Sequence, residues 1–201
     1  MTAETVVPLR AAPRVDRLRA QRAVAELLAT RCGVFARCSP STGYPSALAE
    51  MLTPTAFLPT TFPNDEGYDE LVVARRVPFR SLCEHHLLPF YGTAHVGYLP
   101  GPRIVGLSKL ARVVEHFAAG LQVQERLTQQ VADWLHGHLD ARGVGVVIEA
   151  EHLCMSLRGV RAGGSRTVTS ALRGDLRTDA RSRDEFLALT RYGAGEHAGL
   201  P

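Results

Sequence analysis

Residues 81–90, which read Ser-Leu-Cys-Glu-His-His-Leu-Leu-Pro-Phe, constrain the fold of this chain more than any other stretch. A thiol, a carboxylate and two imidazoles occupy four consecutive positions there, from Cys83 to His86. Because Cys83 and His86 are three residues apart, one tight turn can direct both at a common ion, and thiolate with imidazole is a ligand pair that suits zinc. The stretch therefore predicts a metal site at a chain reversal.

A third candidate ligand, Cys154, follows a buried-type strand much later in the chain. Cys83, His86 and Cys154 would supply three protein ligands and leave the fourth tetrahedral position of zinc for water, which distinguishes a catalytic zinc site from a closed structural one. The alternative is a pair of buried thiols and a surface imidazole. The agreement of ligand types with an open position favours zinc.

Length and composition indicate one globular domain with arms. The chain has 201 residues, of which 45% are hydrophobic and 21% charged, so it can bury a core. A net charge of +3 does not indicate nucleic-acid binding, and no apolar run reaches the ~20 residues of a membrane span. Since the N-terminus lacks the regions of a signal peptide, we expect a cytoplasmic location, with Cys32 and Cys38 as free or buried thiols.

Hydrophobic periodicity predicts an α+β fold in which two consecutive helices cover one face of an antiparallel sheet. Strands are expected at 70–78, 92–100, 144–150 and 167–172, and helices at 16–30, 45–52, 108–121, 123–140 and 183–191. The first two strands are expected to pair. Ser108 is expected to cap a helix, Gly143 to end the next one, Gly163 and Gly164 to form a hairpin turn, and Ser182 with Glu185 to form a capping box.

Two further histidines lie beside the predicted ligands without being needed as ligands. His85 precedes His86, and His152 lies two residues before Cys154. A general acid or base that moves protons on a metal-bound substrate would occupy such positions. Each could instead only orient a ligand, and the catalytic interpretation is the stronger for His152.

Cationic residues open the helix at 108–121 and follow Cys154. Ser108, Lys109 and Arg112 lie on the first turns of that helix, where free backbone N–H groups favour anions, and Arg158 lies four residues after Cys154. Exposed lysines and arginines on helices are more often only solvated. Glu125, at another helix start, is an ordinary helix-start charge unless it is buried, where it could accept two N–H bonds from a guanine-type base edge.

Four stretches of the chain resemble GTP cyclohydrolase I. They are residues 81–90, 106–112 (Gly-Leu-Ser-Lys-Leu-Ala-Arg), 122–128 (Gln-Val-Gln-Glu-Arg-Leu-Thr) and 152–160 (His-Leu-Cys-Met-Ser-Leu-Arg-Gly-Val), and residues 165–170 and 183–187 agree as well. The resemblance covers roughly residues 60–192. It divides the chain into an N-terminal helical arm at 1–59, a catalytic domain at 60–192 and a tail at 193–201.

The resemblance implies the tunnelling fold, assembled as a homodecamer of two pentamers with active sites between subunits. The implied reaction opens the guanine imidazole ring of GTP at C8, releases formate and yields 7,8-dihydroneopterin triphosphate. By position, the family's zinc ligands fall on Cys83, His86 and Cys154, its proton-transfer residues on His85 and His152, its guanine-recognition segment on Gln124 and Glu125, and its triphosphate contacts on Ser108, Lys109, Arg112 and Arg158.

Residues 31–47 depart from the pattern that links the first two helices of the family. The departure concerns assembly and regulation more than chemistry, and it suggests a paralogue in a specialised pathway. Two alternatives therefore stay open, a GTP hydrolase that stops at an intermediate such as the ring-opened formamide, and a non-catalytic regulatory paralogue. His85 and His152 argue against the second, because a structural zinc needs neither.

Overall fold

A computed structural model describes residues 16, 18–19, 22–23, 26, 44–54 and 60–191 of the chain. The helices in that part are α1 (Tyr44–Met51), α2 (Leu107–Ala118), α3 (Gln124–Leu139), α4 (Leu153–Ser156), α5 (Asp175–Thr178) and α6 (Ala180–Arg191). The strands are β1 (Thr61–Pro63), β2 (Val72–Cys83), β3 (Pro89–Leu99), β4 (Arg103–Val105), β5 (Leu121–Gln122), β6 (Gly143–His152) and β7 (Thr167–Gly174). None of the described helices combines the length and the apolar character that crossing a membrane requires.

A five-stranded sheet with the order β5-β2-β3-β6-β7 forms the centre of the fold. Strands β2, β3, β6 and β7 pair antiparallel, and β5 adds two residues parallel to β2. This confirms the predicted α+β class and the antiparallel pairing of the first two long strands. The register places Leu82 opposite Pro89 and Phe90 opposite His152. The end of β2 and the end of β6 therefore meet at one end of the sheet.

The main core lies between the sheet and helices α2 and α3, as the periodicity predicted. Because side chains alternate along a strand, one face of β3 and β6 is apolar and fully covered. The buried strand residues include Ala94, Val96, Tyr98, Val144, Val146 and Ile148, and those of the helices include Leu110, Val113, Leu127, Val131 and Leu135.

Helix α6 packs on the opposite face of the sheet, which the sequence had left uncovered. Phe186 is fully buried against Gly97 and Gly145, a cross-strand pair. A Cβ atom on Gly145 would lie 2.6 Å from the Phe186 ring, so only glycine leaves room for that ring. The prediction that helices cover one face of the sheet is therefore incomplete, because α6 also covers one end of the second face.

The predicted helix and strand ends differ from the observed ones where a cap was inferred. Ser108 does not cap α2, because Gly106 occupies the N-cap position and Ser108 lies in the first turn. Helix α3 ends at Leu139 with Asp140 as its C-cap, at a φ of 49°, and Gly143 begins β6 instead of ending the helix. At α6 the carboxylate of Asp179 accepts the N–H of Ser182 at 2.7 Å, so the helix begins before the predicted capping box.

Several predictions lie outside the described residues. Of the helix predicted at 16–30, the described positions 18, 19, 22, 23 and 26 are helical. The first 15 residues of the predicted N-terminal arm, the thiols Cys32 and Cys38 and the tail at 193–201 fall on residues that the structure does not describe. The helix predicted at 45–52 is confirmed as α1.

Candidate active site

Cys83, His86 and Cys154 converge at the end of the sheet where β2 and β6 finish. Cys83 is the last residue of β2, His86 lies in the turn to β3, and Cys154 lies in α4 directly after β6. Their potential ligand atoms all lie within 4.8 Å of one another, and Cys83 Sγ is 3.9 Å from His86 Nδ1. The structure thus brings together the three side chains that the sequence singled out as metal ligands.

The spacing of these donors fits one zinc ion. Ligand atoms at ordinary Zn–S and Zn–N distances on a tetrahedral ion are about 3.5–3.8 Å apart, so the observed cluster needs only a small contraction. Burial raises the pKa of the Cys154 thiol, and the neighbouring Cys83 raises it further. A divalent cation between the two sulfurs would reverse that effect, because a coordinated thiol loses its proton.

The turn that carries the predicted ligands is closed by backbone hydrogen bonds. Leu87 N–H donates to the Cys83 carbonyl at 2.8 Å, and Cys83 N–H donates to the Leu88 carbonyl at 2.9 Å. Leu87 adopts a φ of 54°, a left-handed conformation that is costly for a side chain with a Cβ atom. The backbone is therefore held in a shape that directs Cys83 and His86 toward the same point.

Glu84 faces Arg126 in α3. The Arg126 guanidinium donates to the Glu84 carboxylate, to Gln122 Oε1 at 2.9 Å and to the Leu121 carbonyl at 3.0 Å. The hydrogen bond from Arg126 lowers the pKa of the Glu84 carboxyl below its usual value. This arrangement connects the turn at Cys83–His86 to the start of α3, and the sequence did not predict the pairing of Glu84 with Arg126.

His152, the last residue of β6, is half-buried beside the cluster. Its ring stacks on Phe90 with the ring centroids 4.6 Å apart and an angle of 2° between the planes. Its Nε2 lies 2.7 Å from Gln124 Oε1. Burial lowers the pKa of the imidazole, and the charge of Glu125 opposes this in part. The ring is thus fixed in its plane and favoured in its neutral form near neutral pH.

The other predicted residues near the cluster differ in exposure. His85 is exposed in the turn, with its ring centroid 6.2 Å from that of His86. Glu125 is exposed on the first turn of α3, and Arg158 is exposed after α4. Gln124, in contrast, is buried, with 1% of its surface accessible, and its side chain bonds within the chain.

The three predicted anion contacts lie in the half of α2 that is farther from Cys83. Helix α2 follows β4, where Val105 N–H donates to the Tyr98 hydroxyl, and its C-terminal end leads to β5 beside Cys83. At a rise of ~1.5 Å per residue, Ser108 lies roughly 15 Å along the helix axis from Ala118. The N-terminal turn of α2, which carries Ser108, therefore lies farther from Cys83 than the C-terminal turn does.

The sequence marks Phe90 only as the end of the motif at 81–90 and does not predict that its ring stacks on His152. Residue type alone indicates an aromatic on a strand, since the pairing with His152 depends on the register between β3 and β6. Arg126 was missed for a similar reason, because its partner Glu84 lies 42 positions earlier. Phe90 lies in the stretch at 81–90 and Arg126 in the stretch at 122–128. Their place in these stretches was the only sign in the sequence that they belong to the site.

Comparison with known proteins finds a family model described as GTP cyclohydrolase I, which matches residues 44–191. The GTP cyclohydrolase 1 of Mycobacterium tuberculosis is 52% identical over 184 residues, which cover 87% of this chain and 90% of that protein. The GTP cyclohydrolase 1 of Nitrosospira multiformis is 57% identical over 136 residues, or 68% of this chain and 71% of that protein.

The length of the match varies among relatives. The GTP cyclohydrolase 1 of a Synechococcus strain is 53% identical over 152 residues, or 76% of this chain, and the chain spans 63% of the length of that relative. Among solved structures, the archaeosine synthase QueF-Like in its apo form aligns with a TM-score of 0.41 and 15% identity, over 52% of this chain and 93% of that one.

Proposed function

The chain belongs to the GTP cyclohydrolase I family, and from that premise we propose that it is a zinc-dependent GTP cyclohydrolase I. The proposed reaction opens the guanine ring of GTP at C8, releases formate and yields 7,8-dihydroneopterin triphosphate. The observation that carries the proposal is the convergence of Cys83, His86 and Cys154 beside the fixed ring of His152. We assign the catalysis to residues 60–192.

We propose zinc as the ion because the three donors are two thiolates and an imidazole, a set that suits zinc better than magnesium or calcium. When bound with one open position, zinc supplies Lewis acidity and lowers the pKa of water to ~7. In the chain itself, the turn at Leu87 and the start of α4 hold the donors.

His152 is proposed to move the proton that ring opening requires. Its neutral ring can accept a proton and return it to a leaving nitrogen, which is the role of a general acid and base. The stack on Phe90 limits the ring to one plane, so that little reorganisation is needed at the moment of transfer. His85, exposed in the same turn, is proposed as the second proton-transfer residue.

Recognition of the base and of the triphosphate is proposed to involve separate charges. Glu125 is exposed and so does not meet the burial condition set from the sequence; on the resemblance alone, its carboxylate is proposed to accept two N–H bonds from the edge of guanine. Arg158 beside the cluster can neutralise a phosphate. Ser108, Lys109 and Arg112 carry free donors for the remaining phosphates on the first turns of α2. Those three residues lie toward the end of α2 that is farther from Cys83.

A second copy of the chain is therefore proposed to complete each site, in a homo-oligomer that the resemblance identifies as a decamer. Within the described residues, β2 pairs with β5 only at Leu82 and Cys83, and β7 has β6 on one side. These two open strand edges could pair between copies, as exposed edges tend to do.

Mixing two inactive variants tests the shared site. Cys154→Ala removes a metal ligand, and the double variant Lys109→Ala/Arg112→Ala removes the phosphate charges. If each site combines two copies, about a quarter of the sites in randomly mixed, co-expressed assemblies carry both unchanged parts. We expect co-expression to restore formate release well above the sum of the separate proteins. Activity equal to that sum would contradict a site shared between copies.

The proposed activity is tested with purified protein of known zinc content and GTP. We expect formate and, after oxidation of the product, a fluorescent pterin, in amounts that follow the zinc content. Mass analysis of the product separates complete turnover from release of a ring-opened intermediate. A zinc-loaded protein that leaves GTP unchanged would overturn the proposal. We further propose that the protein works in the cytoplasm, where reducing conditions keep the cluster thiols available.

A further inference from the structure

The side chain of Gln124 is buried at the first residue of α3, and every polar atom it carries has a partner within the chain. Its Nε2 lies 3.1 Å from the Ile148 carbonyl, 3.0 Å from the Thr167 carbonyl and 3.1 Å from Thr169 Oγ1. Its Oε1 lies 2.7 Å from Nε2 of His152. The glutamine thus joins strands β6 and β7 to the proposed proton-transfer residue.

The chemistry of these partners fixes the orientation of the amide. Backbone carbonyls only accept hydrogen bonds, so the NH₂ group must face Ile148 and Thr167 and the amide oxygen must face His152. An amide oxygen also only accepts. Nε2 of His152 must therefore carry a hydrogen for this contact to be a hydrogen bond.

Two threonines complete the network without a conflict of donors. The Thr128 hydroxyl donates to the backbone carbonyl of Gln124 at 2.7 Å. The Thr169 hydroxyl, 2.7 Å from Thr128 Oγ1, can then donate to it and accept from the Gln124 amide. Because each hydroxyl has one hydrogen and that hydrogen is used, rotation of the amide would leave buried groups unsatisfied, at a cost of roughly 1–3 kcal/mol each.

We propose that Gln124 is a positioning residue that holds His152 in its Nε2–H tautomer and leaves Nδ1 as the nitrogen that accepts and returns the proton. The role of the tautomer in catalysis rests on the proposed function, whereas the tautomer itself does not. Phe90 fixes the plane of the ring by stacking, and Gln124 fixes which nitrogen carries the hydrogen. The second nitrogen is then the only basic atom of the neutral ring.

This assignment changes the expected role of the segment at 122–128. With 1% exposure and its NH₂ group bonded within the chain, this side chain has no amide hydrogen left to donate to a guanine base and little surface to offer it. Recognition of the base in this segment then falls to the exposed carboxylate of the next residue, Glu125. The side chain of Gln124 thus contacts His152 inside the chain, whereas that of Glu125 faces outward, where a substrate could reach it.

Nitrogen NMR of the zinc-loaded, full-length protein tests the tautomer directly. Histidines are labelled with ¹⁵N, and the signals of His152 are those absent from the spectrum of His152→Asn. In the neutral ring we expect Nε2 to show the shift and the one-bond hydrogen coupling of a protonated nitrogen, and Nδ1 to show those of an unprotonated one. The reverse pattern would overturn the proposal.

Two variants separate positioning from folding. Gln124→Leu replaces the amide with an apolar side chain of similar size and removes the bond to His152, so we expect both tautomers to appear. Thr169→Val is the matched control, because it removes one partner of the same amide and leaves the bond to His152 intact. We expect the Thr169→Val protein to keep the Nε2–H pattern. A mixture of tautomers in that control with a pure tautomer in Gln124→Leu would contradict the assignment.

Kinetics distinguish positioning from substrate binding. We expect Gln124→Leu to lower kcat for formate release by about 10- to 100-fold, the usual effect of losing an orienting partner, with little change in KM for GTP. A rise in KM at constant kcat would instead indicate that Gln124 binds guanine. Because the NMR pattern needs no turnover, a chain that leaves GTP unchanged while showing the Nε2–H ring would reject the proposed function and keep the tautomer.

Discussion

The two ends of the five-stranded sheet are held by different kinds of contact. At the turn end, where β2 and β6 finish, the contacts are polar and include the cluster at Cys83, the pair of Glu84 with Arg126, and the amide of Gln124 on His152. At the opposite end Phe186 fills the space above Gly97 and Gly145, and the ion pair of Arg142 with Asp175 lies at the surface.

The difference separates chemistry from stability. Buried apolar surface contributes the larger part of folding free energy, and a fully buried phenylalanine contributes about 1.5–3 kcal/mol from transfer alone. Polar networks contribute less net free energy, but they fix the orientation of each group. We therefore expect changes at the turn end to affect activity more than folding, and changes at the Phe186 end to do the opposite.

The largest expected effect is the loss of zinc binding in the Cys154→Ala variant. The variant leaves one thiolate and one imidazole, too few to hold a catalytic zinc, so we expect zinc binding and formate release to be lost together. Helices α2 and α3 keep their packing on the sheet, and the variant should therefore stay folded. Zinc content by elemental analysis, formate release and circular dichroism measure the three outcomes.

A control for that experiment is Cys38→Ala, which removes a thiol from outside the predicted cluster. It should keep the zinc content and the activity of the unchanged chain. If Cys154→Ala retained turnover without metal, the assignment of the cluster as the catalytic centre would be wrong. If Cys154→Ala unfolded, the zinc would be a structural one whose binding supplies folding free energy, and the separation of the two ends would fail.

The convergence of Cys83, His86 and Cys154 at the turn end could be predicted from the sequence, because these residue types together are typical of a metal site. Few roles other than metal binding require Cys83 and His86 three apart with a later cysteine beside a histidine. The long strands and helices could be predicted as well, since each carries several turns or repeats of apolar periodicity.

What the sequence did not reveal depends on partners that are distant along the chain. The amide of Gln124 meets residues 24, 43 and 45 positions away, and no local pattern distinguishes such a buried glutamine from an exposed one. Strands β1, β4 and β5 have two or three residues and therefore no periodicity.

Phe186→Ala is expected to have the second largest effect, on stability. Removing a fully buried aromatic ring and leaving a cavity costs about 3–5 kcal/mol of unfolding free energy. Because the metal cluster lies at the other end of the sheet, we expect the folded fraction to bind the same amount of zinc. Urea unfolding at one fixed protein concentration measures the stability, since an oligomer's stability depends on concentration.

Leu187→Ala, at a half-buried neighbour in the same helix, is the matched control and should cost less. Loss of zinc from folded Phe186→Ala protein would show that the two ends are coupled. In that case the apolar end would also set the geometry of the cluster, and the division between chemistry and stability would have to be abandoned.

The smallest expected effect comes from His95, which lies between the two ends. Its Nδ1 is buried without a hydrogen-bond partner among the described residues, on the face of the sheet opposite α2 and α3. Burial lowers the pKa of its imidazole, Arg75 and Arg76 on β2 lower it further, and Glu149 on β6 opposes them.

Because the pKa of His95 is lower in the folded chain than in the unfolded one, the unfolded chain binds the proton more readily. The contribution of neutral His95 to the free energy of unfolding should therefore be complete above the ordinary imidazole pKa of ~6.5 and should be lost as the pH falls below it. His95→Gln has no ionisable group, so we expect its urea midpoint to fall less than that of the unchanged chain between about pH 7.5 and about pH 5.5. Equal falls in both proteins would show that His95 keeps its ordinary pKa. His95, in the middle of the sheet, would then make no contribution to the pH dependence of stability.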